Sequence, residues 1–158
     1  MMFKEKVFLT CLGFSRNPSD AEDLAQEVYL KAFSKIGTLK NPHLAKIWLL
    51  RIAKNACLDF MKKHRLELLS PNELSQLKTE SLNPELQTIQ HQQLQFVKQA
   101  IQRLPRKQRE VFILREYGDL TYQEISQTMK IKEGTVMSRL NRARQTIMSQ
   151  IKGKNEKK

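Results

Sequence analysis

Apolar residues recur along this chain at intervals of three and four, the spacing that gathers them on one face of an α-helix, and no stretch alternates as a half-buried strand would. Phe3, Val7 and Cys11 predict a short first helix that stops near Gly13 and Asn17–Pro18. Ser19 with Glu22 three residues later has the form of a capping box, opening a helix that runs to about Lys35, before Gly37. Asn41–Pro42 makes the next turn. A long helix then extends to about His64, with Leu49, Ile52, Ala53, Ala56 and Phe60 on one stripe and Arg51, Lys54, Asn55, Lys62 and Arg65 on another. These elements amount to one compact helical domain over residues 1–66.

The pattern lapses over 67–83, where Pro71, serines and scattered acids keep no firm period; this reads as a flexible linker. Periodicity returns in a second domain over 84–151. Leu86, Ile89, Val97, Ala100, Ile101 and Leu104 predict an amphipathic helix ended by Pro105, and Arg106 to Tyr117 a further one closed by Gly118–Asp119. Thr121 with Glu124 forms a second capping box, opening a short helix that turns Ile125 and Met129 inward. After Lys130–Ile131–Lys132 a last helix starts near Glu133, its inner face made by Val136, Leu140, Ala143 and Ile147. Residues 152–158 are polar and read as a disordered tail. The fold class is therefore all-α: two small helical domains joined by a linker.

Charge adds a direction. The chain carries a formal net charge of +12, distributed as +6 over 1–66, −2 over 67–100 and +8 over 101–158. Two basic bodies flanking a slightly acidic middle suit two contacts with nucleic acid, although lysine on the solvated faces of a helical protein gives a similar total. The outer face of the last helix bears Ser138, Arg139, Asn141, Arg142 and Arg144, which can hydrogen-bond base edges and phosphates. Two short helices across a tight turn, the second apolar within and basic without, are the form of a helix-turn-helix spanning Thr121 to Met148. The same pattern also fits an ordinary surface helix with a basic face.

Other chemistry is poorly supplied. Cys11 and Cys57 lack a CxxC neighbour or a His at metal spacing, so neither a disulfide framework nor a metal site is expected, and both read as half-buried thiols. His43, His64 and His91 are scattered and read as surface residues. With no clustered carboxylates, phosphate-binding glycine loop or Ser/His/Asp set, no catalytic residue and no cofactor is expected. The longest apolar run, Ile47 to Leu50, is broken by Arg51, and the N-terminus lacks a signal pattern, so a cytoplasmic protein without membrane insertion is expected.

Three linked motifs, Leu104-Pro105-Arg106-Lys107-Gln108-Arg109-Glu110-Val111-Phe112, Thr121-Tyr122-Gln123-Glu124-Ile125 and Glu133-Gly134-Thr135-Val136-Met137-Ser138-Arg139-Leu140, resemble region 4 of the extracytoplasmic-function (ECF) sigma factors of bacterial RNA polymerase. Independently, Asp20-Ala21-Glu22-Asp23-Leu24-Ala25-Gln26-Glu27-Val28 and Trp48-Leu49-Leu50-Arg51-Ile52-Ala53-Lys54-Asn55 resemble region 2 of the same family. The resemblance implies a transcription initiation factor that binds core polymerase and directs promoter recognition and melting. Asp23, Gln26 and Glu27 would meet the clamp helices of the β′ subunit, at positions i, i+3 and i+4 that share a helix face. Arg51, Lys54, Asn55, Lys62 and Lys63 would hold the −10 element as single-stranded DNA, and Trp48 is either core or a stacking platform. Thr135, Ser138, Arg139, Asn141 and Arg142 would read the −35 element.

The partners so implied are core polymerase, through the β′ clamp and β flap, promoter DNA and, as in many members of the family, an anti-sigma factor. Some positions depart from the family pattern. Leu39 and Ala45 stand where aromatic residues are frequent, Met137 where a basic residue is common, and Lys130 where glycine is common in the turn. A free-standing helix-turn-helix regulator acting without polymerase is the competing reading; it accounts for the C-terminal half and leaves Asp20–Arg65 idle.

Overall fold

The computed structural model describes residues 3–68 and 89–155, with side chains for 3–67 and 92–153. Most of the stretch read as a linker, and Leu86 with it, lies outside the described residues. Among them, seven α-helices and two short 3₁₀ turns make up the regular structure: α1 (Lys4–Ser15), α2 (Pro18–Ser34), α3 (Ala45–Leu68), α4 (Ile89–Gln102), α5 (Arg106–Glu116), α6 (Tyr122–Met129) and α7 (Glu133–Asn155), with the 3₁₀ turns Ile36–Thr38 and Pro42–Leu44 between α2 and α3. No strand occurs among the described residues.

Caps fix where these helices begin and end. α1 runs past Gly13 and is ended by Arg16 in the left-handed conformation, its N–H bonded to the Leu12 carbonyl. α2 is capped two residues earlier than the Ser19–Glu22 spacing predicts. Asn17 is the cap, its side chain accepting from the Ser19 N–H, while Pro18 fills the first helical position, where its missing N–H costs nothing. At the end of α5 it is Asp119, not Gly118, that takes the left-handed conformation. Gly118 is required for space: a Cβ there would fall 2.8 Å from the Leu114 carbonyl oxygen and 3.3 Å from Leu50 Cδ1. At its far end α7 continues through Asn155, into the segment 152–158.

α1, α2 and α3 pack on one another, burying Val7, Cys11, Phe14, Leu24, Val28, Leu50 and Ala53. Each large apolar side chain so removed from water stabilises the fold by about 1.5–3 kcal/mol. Both cysteines lie fully inside this bundle rather than half-buried. A hydrogen bond with Cys11, and burial, push the Cys57 thiol far above the usual range, which makes it inert. α4 to α7 form the second unit around Ile101, Leu104, Val111, Ile113, Leu114, Ile125, Val136 and Leu140. The two units are not separate bodies. α3 lies along α6 and α1 along α5, and the buried residues of both join in one continuous cluster.

Candidate nucleic-acid interface

The helix-turn-helix is built from local signals. Thr121 Oγ1 accepts from the Glu124 N–H at 3.1 Å, and the Glu124 carboxylate accepts from the Thr121 N–H at 2.7 Å, so the capping box closes in both directions. α6 ends at Lys130, whose φ of 54° and ψ of 47° place it in the left-handed region, and its N–H bonds to the Ser126 carbonyl. Ser126 Oγ donates to the Ile131 carbonyl at 2.6 Å, tying the turn back to α6. The position that departs from glycine therefore still makes the turn, with a lysine bearing the strain of a positive φ.

Val136, Leu140, Ala143 and Ile147 of α7 are buried, as their spacing predicts. The opposite face leaves Ser138, Asn141 and Arg142 exposed, with Thr135 and Arg139 half-buried beside them. Arg144, on the same face by periodicity, is engaged elsewhere: its guanidinium meets Glu116 of α5 at 3.1 Å. That bond, with a second to Tyr122, holds its pKa above the ordinary arginine value.

In the first unit, Asp23, Gln26 and Glu27 line the exposed face of α2, and Glu27 pairs with Lys31 one turn on. Leu24 and Val28 point into the core. Asn55, Lys62 and Lys63 are exposed on α3. Arg51 and Lys54 are not open in the same way. Arg51 Nη2 donates to the Gln127 carbonyl of α6 at 3.0 Å. Lys54 is half-buried; desolvation lowers its pKa, the Glu110 carboxylate of α5 opposes that shift, and Arg106 and Arg51 add to it. Trp48 is partly buried against the core, and its indole Nε1 donates to Thr38 Oγ1 in the connection between α2 and α3.

Two regions of one family match the chain: sigma-70 region 2 over residues 2–67 and sigma-70 region 4 over residues 96–147. The ECF RNA polymerase sigma factor SigW of Bacillus subtilis is 28% identical over 160 residues, covering 96% of this chain and 86% of the relative. The ECF sigma factor SigE of Mycolicibacterium smegmatis is 32% identical over 146 residues, covering 90% of this chain and 56% of that longer protein. The chain is an ECF sigma factor.

Among solved structures, the sigma factor RpoE of Bartonella quintana, in complex with the anti-sigma factor NepR, shares the fold with a TM-score of 0.77. The match covers 96% of this chain and 92% of that one at 24% identity. As a sigma factor the protein acts in transcription initiation, and α1–α3 and α4–α7 are the bodies of regions 2 and 4. No helix among the described residues is long and apolar enough to cross a membrane.

The structure of the sigma factor also exposes residues that sequence reasoning missed. Leu30 and Phe33 of α2 are 72% and 82% exposed, and Ile36 follows them in the same condition. Leu30 stands seven residues beyond Asp23 and Phe33 seven beyond Gln26, so an apolar strip continues the polar edge two turns on. That periodicity was present in the sequence, but apolar positions at helical spacing are indistinguishable there from core.

Proposed function

We propose that this sigma factor binds core RNA polymerase through the exposed face of α2 and directs the enzyme to promoters that it helps to melt. The observation that carries the reading is the continuous edge from Asp23, Gln26 and Glu27 to Leu30, Phe33 and Ile36, whose apolar half has no cover among the described residues. Solvent-exposed apolar side chains in a contiguous group mark a protein-binding surface, and large ones at its centre dominate affinity. The β′ clamp helices are the partner assigned to this edge, and the β flap that assigned to region 4.

DNA is assigned to two faces. On α7, Thr135, Ser138, Arg139, Asn141 and Arg142 read the −35 element in the major groove, supported by the buried inner stripe that fixes how the helix docks. Met137, half-exposed among them, offers an apolar contact in place of a phosphate contact. On α3, Asn55, Lys62 and Lys63, with Arg51 and Lys54, hold the displaced −10 strand, where cations on the backbone offset the cost of unstacking. An anti-sigma factor, the kind of partner seen with the Bartonella relative, completes the proposed set.

Run-off transcription with purified core polymerase tests this. Sequence-selective transcripts that depend on added sigma factor are expected from a library of genomic promoters. Absence of any such transcript overturns the proposal, and specific duplex binding by the chain alone would favour a free-standing regulator instead.

A further inference from the structure

A cavity of about 110 Å³ opens where the end of α1 meets α4 and α5. Leu12, Pro18, Ile101 and Tyr117 give it largely apolar walls, and it carries two cations, Arg16 from the first unit and Lys98 from the second. Its sides are fastened together by Gln102, whose Nε2 donates to the Gly13 carbonyl at 3.0 Å and whose own carbonyl accepts from Arg109 Nη1 at 3.0 Å. No carboxylate lines it. Among the described residues, no hydrogen bond or ion pair engages the side chain of Arg16 or Lys98. Desolvation lowers the pKa of Arg16, with no anion to offset the loss of water. Burial lowers that of Arg109 behind it, and Arg16 lowers it further; Arg109 Nε is buried without a partner. The carboxylates that act on this neighbourhood are already engaged, Glu110 with Arg106 and Glu116 with Arg144.

We infer that this cavity binds a small organic carboxylate, its anionic head between Arg16 and Lys98 and a short apolar body against Leu12, Ile101 and Tyr117. Both cations are exposed, which puts the head at the mouth and the body within. A guanidinium already short of water gains most from an anion that accepts from its planar fork, and a carboxylate does so with two parallel bonds. The walls decide against a bare inorganic anion, since they add affinity only to a ligand that brings apolar area to bury. Size limits that area: a cavity of about 150 Å³ takes a benzene ring, so this smaller, open one suits a branched body of about four or five carbons. A ligand touching both units favours their docked arrangement in proportion to its concentration over Kd, so occupancy is read as stability. Neither the DNA faces nor the polymerase face is needed for this inference.

Titration of the full chain with 4-methylpentanoate and with benzoate, followed by amide NMR shifts and by thermal unfolding, tests the site. Saturable shifts are expected at Leu12, Gly13, Ile101 and Tyr117, with the unfolding midpoint raised by about 3 °C at ten times Kd. Three probes separate head from body: 4-methylpentanamide keeps the body without the charge, while acetate and inorganic phosphate keep a charge without the body. Each is expected to bind at least about tenfold more weakly than 4-methylpentanoate. Arg16→Gln and Lys98→Gln remove one cation each. Both positions are exposed, and glutamine at position 16 faces the same left-handed backbone as arginine, so the fold is expected to persist, as circular dichroism checks. Each variant should weaken 4-methylpentanoate several-fold. Lys107→Gln, which removes an exposed cation that does not line the cavity, should leave it unchanged.

Absence of saturable shifts with either carboxylate at tens of millimolar overturns the site. Equal binding of the amide overturns the role of the two cations, and equal binding of acetate or phosphate reduces the cavity to an unspecific cluster of charge, which overturns the assignment of a carboxylate with an apolar body. Affinity unchanged in both Arg16→Gln and Lys98→Gln places the ligand elsewhere and overturns the proposal as well.

Discussion

The indole of Trp48 and the hydroxyl of Thr38 are joined by a 3.1 Å hydrogen bond, in which Nε1 donates to Oγ1. Thr38 Oγ1 in turn donates to the Lys35 carbonyl at 2.7 Å. A side chain from α3 thereby pins the 3₁₀ turn at the end of α2, and with it the connection 36–44 that lies beside the proposed −10 surface. Thr38→Val keeps the shape and removes the acceptor. The expected cost is about 0.5–1 kcal/mol of stability, measured by denaturant unfolding. Hydrogen exchange should quicken across 36–44 and stay unchanged in α7; uniform quickening would show that the bond does not act locally.

Phe33 is expected to matter for binding and not for folding. At 82% exposure it contributes little to the core. Phe33→Ser should leave the unfolding midpoint unchanged or slightly raised, while affinity for core polymerase falls by about 1–2 kcal/mol, as for an apolar anchor at an interface. Fluorescence titration of labelled sigma factor with core measures it. Unaltered core affinity would remove the apolar strip from the proposed interface.

Arg142 tests the −35 assignment. It is exposed on α7, so Arg142→Ala should change stability by less than about 0.5 kcal/mol. If it reads a guanine, holoenzyme binding to a promoter fragment should weaken by about 1–3 kcal/mol, with discrimination lost at one −35 position. Core affinity should be untouched. An equal loss of core affinity would mean that this face serves polymerase rather than DNA.

Lys130 carries strain that glycine would not. In the left-handed conformation a residue with a Cβ is disfavoured by about 1–2 kcal/mol, part of which glycine gives back through its more disordered unfolded state. Lys130→Gly should therefore stabilise the chain by about 0.5–1 kcal/mol in thermal or denaturant unfolding. Lys130→Val should act in the opposite sense, since a branched Cβ fits that region worst. A loss of stability on introducing glycine would mean that the lysine stem contributes packing that outweighs the backbone strain.

Much of the local architecture was legible in the sequence because it depends on neighbours three and four residues apart. Val136, Leu140, Ala143 and Ile147 face inward as their spacing requires, and Thr121 with Glu124 caps α6 through bonds that span one turn. Where two local signals competed, the reading slipped. Asn17 with Pro18 outcompetes Ser19 as the cap of α2 because Asn17 can accept from the chain while proline supplies a preset φ. Gly118 has the form of a helix terminator, yet its role is clearance, first against the Leu114 carbonyl of its own helix and then against Leu50 of the other unit.

The sequence by itself determined the helices, their inner faces and the family motifs that α2, α3 and α7 carry, since each is written within a few turns of chain. Tertiary structure alone decided which of the polar faces are free. Lys46 and Asp119 are 73 residues apart and Arg51 and Gln127 76 apart, and both bonds end on main-chain carbonyls, which bear no mark of residue type. No periodicity could announce such partners. It is the docking of α3 on α6 that turns part of the basic stripe inward while Asn55, Lys62 and Lys63 remain open.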